Sequence, residues 1–190
     1  SNTHVYDWSG NGNNGTCSDM GAACDYETGY FGDAVGFTED SGAEILITDT
    51  TIGESLSEGT VMAWLKSDGT EFGSWFSAGN VDGFDLEVAL WNGSFEVWGK
   101  DGRGSYITGT FAGGDQWHHV VFKVNASGSY YYIDGVEVDN STETFFFDDI
   151  AGTNNYWVGQ TGNLAGETYG GLIDEFALFN YSLSDSEIEA

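Results

Sequence analysis

Ser129-Tyr130-Tyr131-Tyr132-Ile133 runs into Asp134-Gly135 and leaves through Val136-Glu137-Val138. Aromatic and β-branched residues on both sides of Asp-Gly make a strong hairpin signal, because a two-residue I′ turn needs positive φ at both central positions. Asn92-Gly93 does the same between Leu86 to Trp91 and Ser94 to Trp98. Outward from these hairpins, further short alternating runs are Ala43 to Thr48, Thr60 to Lys66, Gly83 to Leu90, Ser94 to Gly99, His118 to Val124, Asn155 to Gly159 and Leu172 to Asn180. Each is bounded by Gly, Asn, Asp or Ser, and this spacing predicts an all-β fold, an antiparallel two-sheet β-sandwich. Strand side chains alternate, so Val61, Ala63 and Leu65 are expected on the face opposite Met62, Trp64 and Lys66. Leu183 to Ala190 alone reads as a helix, one or two turns, with Ser184 as N-cap and Glu187 completing a capping box. The chain has no proline, and 29 glycines carry the turns. Nothing divides residues 1–190, so one domain is expected.

Against 31 Asp and Glu stand 4 Lys and Arg, a formal net charge of −27. That field repels phosphate backbones and anionic head groups, which excludes nucleic acid as a partner. No stretch approaches the roughly eighteen apolar residues of a bilayer span, so membrane insertion is not expected. With 40% hydrophobic and 16% aromatic residues the chain can build a core, which argues against disorder. The cations are Lys66, Lys100, Arg103 and Lys123. Giving up nearly all lysines fits adaptation to molar salt, where a Debye length of ~3 Å screens carboxylate repulsion. An acidic secreted protein that holds cations loosely is the other reading.

Cys17 and Cys24 are the only cysteines, and neither they nor His4, His118 and His119 show zinc-ligand spacing. A disulfide closing a surface loop is expected ahead of free thiols, and it implies an oxidising, extracellular or cell-surface location. Sequons at Asn14, Asn92, Asn125, Asn140 and Asn180 are glycosylation candidates that point the same way.

Four segments carry a resemblance to a known family. They are Val5-Tyr6-Asp7-Trp8-Ser9-Gly10-Asn11-Gly12-Asn13-Asn14-Gly15, Gly59 to Lys66, Trp117-His118-His119-Val120 with Tyr131 to Val138, and Gly171-Leu172-Ile173-Asp174-Glu175-Phe176-Ala177-Leu178-Phe179-Asn180-Tyr181-Ser182-Leu183-Ser184. In order and spacing they resemble the laminin-G-like jellyrolls of the concanavalin A-like lectin/glucanase superfamily. Such domains usually place an apolar strand before the Asp-x-Ser-Gly loop, paired beside the strand equivalent to Phe176 to Tyr181. Here Ser1 to His4 precede the loop, so the first strand is expected to be short or missing. The edge beside Phe176 to Tyr181 would then be open to a strand from another chain.

The Asp7 to Gly15 loop alternates side-chain oxygens at Asp7, Ser9, Asn11 and Asn13 around Gly10 and Gly12. That pattern suits Ca²⁺, which takes six to eight oxygen ligands, and equally a turn held by its own Asx hydrogen bonds. The resemblance implies that Asp174 supplies the distant carboxylate of a structural Ca²⁺ site with Asp7, Asn11 and Asn13. It also implies a structural role for His118 and His119, one of them bonded to backbone.

Laminarinase-type hydrolases of the superfamily carry Glu-x-Asp-x-x-Glu on one strand. The nearest run here is Gly83-Phe84-Asp85-Leu86-Glu87-Val88, which lacks both outer carboxylates. A retaining hydrolase needs two carboxylates about 5–5.5 Å apart, so no enzyme is expected, and Asp85 and Glu87 read as two outward acids on a strand. Sugar recognition needs flat aromatic faces and polar oxygens. Trp91 and Trp98 flank a hairpin near Lys100 and Arg103, and that patch is the candidate ligand site. The reading is a non-catalytic recognition or adhesion module whose partner is a glycan or a cell-surface glycoprotein. The alternative is a structural subunit of a glycosylated extracellular filament or surface layer, in which copies of the chain exchange strands.

Overall fold

Asp134 and Gly135 adopt φ of 51° and 78°, and Asn92 and Gly93 adopt 48° and 78°, so both hairpins turn as their sequences require. The computed structural model describes every residue except 1–2, 22, 40, 49–51, 53–54, 68–71, 81–82, 100–103, 112, 151, 153–154, 163 and 190. Its strands are β1 His4–Val5, β2 Gly15–Ser18, β3 Tyr26–Thr28, β4 Asp33–Phe37, β5 Glu44–Thr48, β6 Gly59–Ser67, β7 Phe72–Asn80, β8 Gly83–Trp91 and β9 Ser94–Gly99. They continue as β10 Gly104–Thr110, β11 Gln116–Asn125, β12 Gly128–Ile133, β13 Val136–Ser141, β14 Asn155–Val158, β15 Gln160–Thr161, β16 Leu164–Thr168 and β17 Gly171–Phe179. A single turn of 3-10 helix lies at Phe147–Asp149, and one short helix, α1, at Asp185–Ile188.

Ten strands form one sheet in the order β1-β2-β5-β14-β7-β8-β9-β10, with the β15–β16 hairpin attached to β7. Seven form the other, in the order β13-β12-β11-β6-β17-β4-β3. All pairings are antiparallel except the contact between Thr168 of β16 and Ser74 of β7. Between the sheets lies a core in which Phe95 of β9 stacks on Tyr131 of β12 at 4.5 Å, and Phe76 of β7 meets Phe176 of β17 at 5.7 Å. Val61, Ala63 and Leu65 are fully buried there, while Met62, Trp64 and Lys66 stand half-buried on the opposite face, as the alternation requires.

Strand β7 is the main element without an alternating sequence. Small residues replace large ones along it, and at Gly73 an added Cβ would lie 2.4 Å from the Thr168 carbonyl oxygen, so the approach of β16 demands glycine.

Two features of the edges bear on function. Strand β1 is two residues long and pairs with β2. In the middle of its sheet, β17 pairs with β4 only through Gly171, Leu172 and Ile173. Among the described residues its stretch Glu175–Phe179 has a ladder partner on the β6 side alone. Phe176, Leu178 and Phe179 are accordingly half-buried.

Candidate functional site

The outer face of the seven-stranded sheet is covered in two parts. Toward one edge, Ile188 of α1 and Leu183 just before it pack on Val121 and Tyr132. Ser184 N–H donates to Glu187 Oε2 at 2.8 Å, the capping-box bond that starts this helix. Buried Lys123 reaches Asp185 at 2.7 Å, donates to the Leu183 carbonyl at 3.2 Å and lies 4.7 Å from the Tyr132 ring centroid. The Lys123 bond, followed by one from Tyr132, lowers the Asp185 pKa.

Further along β6, Trp64 is covered by the turn between β3 and β4. Tyr30 stacks on it at 3.7 Å with the planes 13° apart, and Phe31 meets it edge-on at 6.5 Å. Tyr30 keeps 46% of its surface in solvent and Phe31 60%. The turn is held from below. Phe31 N–H donates to Asp174 Oδ2 at 2.8 Å, Glu175 N–H donates to Asp174 Oδ1 at 2.8 Å, and Gly29 N–H donates to the Gly32 carbonyl at 3.0 Å. Asp174 is only 6% exposed. The left-handed φ of 48° at Glu175 marks the bulge in β17 that follows it.

Two residues along β6 from Trp64, Lys66 sits opposite Trp117 on one side and Leu172 on the other. Its ammonium pairs with Asp115 at 2.9 Å. Lys66, Asp115, Leu172, Glu27 and Glu39 line an open cleft of 470 Å³. His119, opposite Trp64, lies 5.3 Å from that indole, and burial lowers its pKa. His118 bonds Asp134 through Nδ1 at 2.8 Å. The His119 N–H donates to the same carboxylate at 2.9 Å, because Asp134 in the hairpin turn comes back over β11.

On the ten-stranded sheet, Trp91, Ala89 and Glu87 of β8 share the outer face with Glu96 and Trp98 of β9, since Ala89 pairs with Glu96 and Glu87 with Trp98. Trp91 is 46% exposed, and the Trp98 indole N–H donates to Glu96 Oε2 at 2.5 Å. Lys100 and Arg103 lie outside the described residues. Glu87 departs from the sequence reading: it points outward yet is 5% exposed. Its Oε1 accepts hydrogen bonds from Thr161 at 2.8 Å and from Ser74. Burial raises its pKa against the opposing effect of those hydroxyls. Trp75 and Trp157 are wholly buried.

In the Asp7 loop, Asp7 Oδ1 accepts from Ser9 N–H at 2.8 Å, Asp7 Oδ2 from Asn13 N–H at 2.9 Å, and Asn14 Oδ1 from Asp7 N–H at 2.9 Å. Asn11 N–H donates to Ser9 Oγ at 3.2 Å. These are the turn bonds of an Asx loop; the Ser9 hydroxyl first, and then the Asn13, Ser9 and Gly12 amides, lower the Asp7 pKa against its partial burial. Asn13 Oδ1 is buried with no hydrogen-bond partner. Among the described residues no three His, Cys, Asp or Glu side chains gather in a metal-binding group. Cys17 and Cys24 form the expected disulfide, with Cα atoms 5.4 Å apart. The sequon residues Asn14, Asn92, Asn140 and Asn180 are exposed and Asn125 is half-buried.

The Laminin_G_3 family model, described as concanavalin A-like lectin/glucanases superfamily, matches residues 39–189. The chain belongs to that superfamily. Domain 4 of AbnA, an extracellular GH43 arabinanase of Geobacillus stearothermophilus solved with arabinotriose, shares 22% identity and a TM-score of 0.74 over 97% of this chain and 91% of that one. Trypanosoma rangeli sialidase has 16% identity and a TM-score of 0.69, and this chain spans 30% of its length while being covered completely. A receptor binding domain matches with 12% identity and a TM-score of 0.66 over 87% of this chain and 43% of its own. These likenesses establish the shared jellyroll. No curated protein matches the sequence significantly.

Proposed function

We propose that the chain is a non-catalytic, extracellular recognition and adhesion module that binds carbohydrate and is stabilised by calcium. The observation that carries the reading is the outer face of the ten-stranded sheet. Trp91 and Trp98 stand there four residue pairs apart, about 13 Å at the strand rise, with Glu96 between them. Aromatic faces with a carboxylate between them suit the C–H surfaces and hydroxyls of successive sugar units. A jellyroll like that of an arabinanase domain solved with arabinotriose supports the same class of ligand. The Cys17–Cys24 disulfide supports an oxidising compartment, and the net charge of −27 supports work in molar salt. A glycan array probed in molar salt tests this, with Trp91→Ala as control. Turnover of a plain polysaccharide by the pure protein would overturn it.

Calcium fits the Asp7 loop better than Asp174. Asp7 supplies a carboxylate at the loop, and Asn13 Oδ1 is buried and unpartnered, as a cation ligand would be. Asp7, Asn11 and Asn13 would hold the ion, whose role would be to brace the loop. One carboxylate places the affinity in the millimolar class of extracellular modules. EDTA should therefore lower Tm and excess Ca²⁺ restore it at fixed ionic strength. An unmoved Tm would leave the Asx loop as the whole account.

The open side of β17 favours a second reading, self-assembly into an extracellular filament or surface layer by strand exchange. Its backbone along Glu175–Phe179 offers a ladder on which a neighbour's strand can add. Sedimentation in molar salt separates the two readings, since a strict monomer removes the filament.

A further inference from the structure

We infer that the cleft beside the Tyr30–Trp64 stack is a second carbohydrate site, on the opposite sheet from Trp91 and Trp98, and that it takes uncharged oligosaccharides. Its volume of 470 Å³ lies within the range of about 300–1,000 Å³ typical of small-ligand sites. Trp64 and Lys66 lie two residues apart on one face of β6, so the aromatic stack and the polar cleft are neighbours about 7 Å apart. Tyr30, stacked on Trp64 and meeting Trp117 edge-on at 6.3 Å, is still half exposed, and Leu172 contributes an apolar lining. Exposed aromatic rings of this kind are normally mobile and costly to order. Here the Phe31 N–H bond to buried Asp174 and the Gly29 N–H bond to the Gly32 carbonyl have already fixed the turn, so a ligand meets a preorganised surface.

The polar groups decide the class of sugar. Lys66 is neutralised by Asp115 at 2.9 Å, and Glu27 and Glu39 add two further carboxylates to the lining. Carboxylates accept hydrogen bonds from paired hydroxyls and Lys66 donates one. The same charges repel uronates and sialic acids, as like charges juxtaposed at an interface do. The inference goes beyond the Trp91–Trp98 reading and fails separately from it.

Titration calorimetry in molar salt, with arabinotriose and cellotriose as neutral probes and trigalacturonate as the anionic one, tests it. At least one neutral probe should bind the unaltered chain, and trigalacturonate should not. Tyr30→Ala should weaken that binding by about tenfold or more, while Tyr30→Phe, which keeps the stack, should stay within about threefold. Glu27→Gln, which touches no core residue, should weaken it by about threefold. Trp91→Ala should leave a Tyr30-dependent component in place. Affinity unchanged by Tyr30→Ala but lost in Trp91→Ala would overturn the cleft and leave the other site standing. Trigalacturonate binding as tightly as the neutral probes would overturn it as well. Failure of both neutral probes to bind at millimolar concentration would overturn the cleft, while the glycan array still decides the Trp91–Trp98 face.

Discussion

On the seven-stranded sheet the outward residues Val121, Tyr132 and Trp64 are covered by large side chains, from α1 on one part and from Tyr30 and Phe31 on the other. On the ten-stranded sheet the outward residues near β15 are Ser74, Ser77 and Glu87, and they are covered by hydroxyls and backbone. Both coverings exclude water, but the first is apolar and held at its rim by charged groups, Lys123–Asp185 and Asp174. The second buries a carboxylate with two hydroxyl donors and, among the described residues, no cation beside it. An outward face therefore becomes a structural layer or a ligand surface according to what the loops bring across it, and the first covering should be the more costly to breach.

The sharpest challenge to that contrast is Asp174→Ala. It strands the Phe31 and Glu175 amides and releases Tyr30 from Trp64, at an expected cost of about 3 kcal/mol. Urea unfolding followed by tryptophan emission reads it, and a loss below about 1 kcal/mol would show that the turn stands without its buried anchor. Next comes Lys123→Met, which should cost about 2 kcal/mol through the charged bonds it removes and should speed amide exchange across Leu183–Ile188. The Asp185 pKa lies below its unfolded value near 3.8. Its contribution is complete above that pH and is lost as the pH falls through the folded value, so the Lys123→Met penalty should fade in acid.

Glu87→Gln should act in the opposite direction. A carboxyl whose folded pKa is raised above 4.5 contributes stability below that pH and loses it as the pH rises through the folded value. The amide, which accepts the same hydroxyl bonds, should raise stability by about 1 kcal/mol at pH 7, or Tm by about 2–4 °C. The gain should vanish near pH 4, and a variant less stable at pH 7 would mean that the ionised carboxylate holds β15 in place. The smallest effect belongs to Trp91→Ala. Its exposed ring should change stability by no more than about 0.5 kcal/mol, while glycan binding to the ten-stranded face is lost.

Much of this architecture is legible in residues close together in the chain. The Asp134-Gly135 and Asn92-Gly93 turns, the alternation of Val61 to Lys66, the Ser184 capping box and the Cys17–Cys24 closure all depend on neighbours within a few positions. Strand β7 is not legible, because its outward positions Ser74 and Ser77 are small and Gly73 admits the approach of Thr168, and small residues carry no period. Glu87 reads as a solvated acid because its hydroxyl partners Ser74 and Thr161 lie 13 and 74 residues away. The Trp91 and Trp98 patch is legible through its hairpin. The Tyr30 stack is not, since nothing in Gly29-Tyr30-Phe31-Gly32 names Trp64.

Period, turn chemistry and composition alone dictate the sandwich, its hairpins and its charge. Which outward residues became buried, which aromatics stayed open, and what Asp174 does were decided only in the tertiary structure. Asp174 meets Phe31 across 143 residues of chain, and a bond between groups so far apart exists only once β17 has paired with β4 and brought the β3–β4 turn over it.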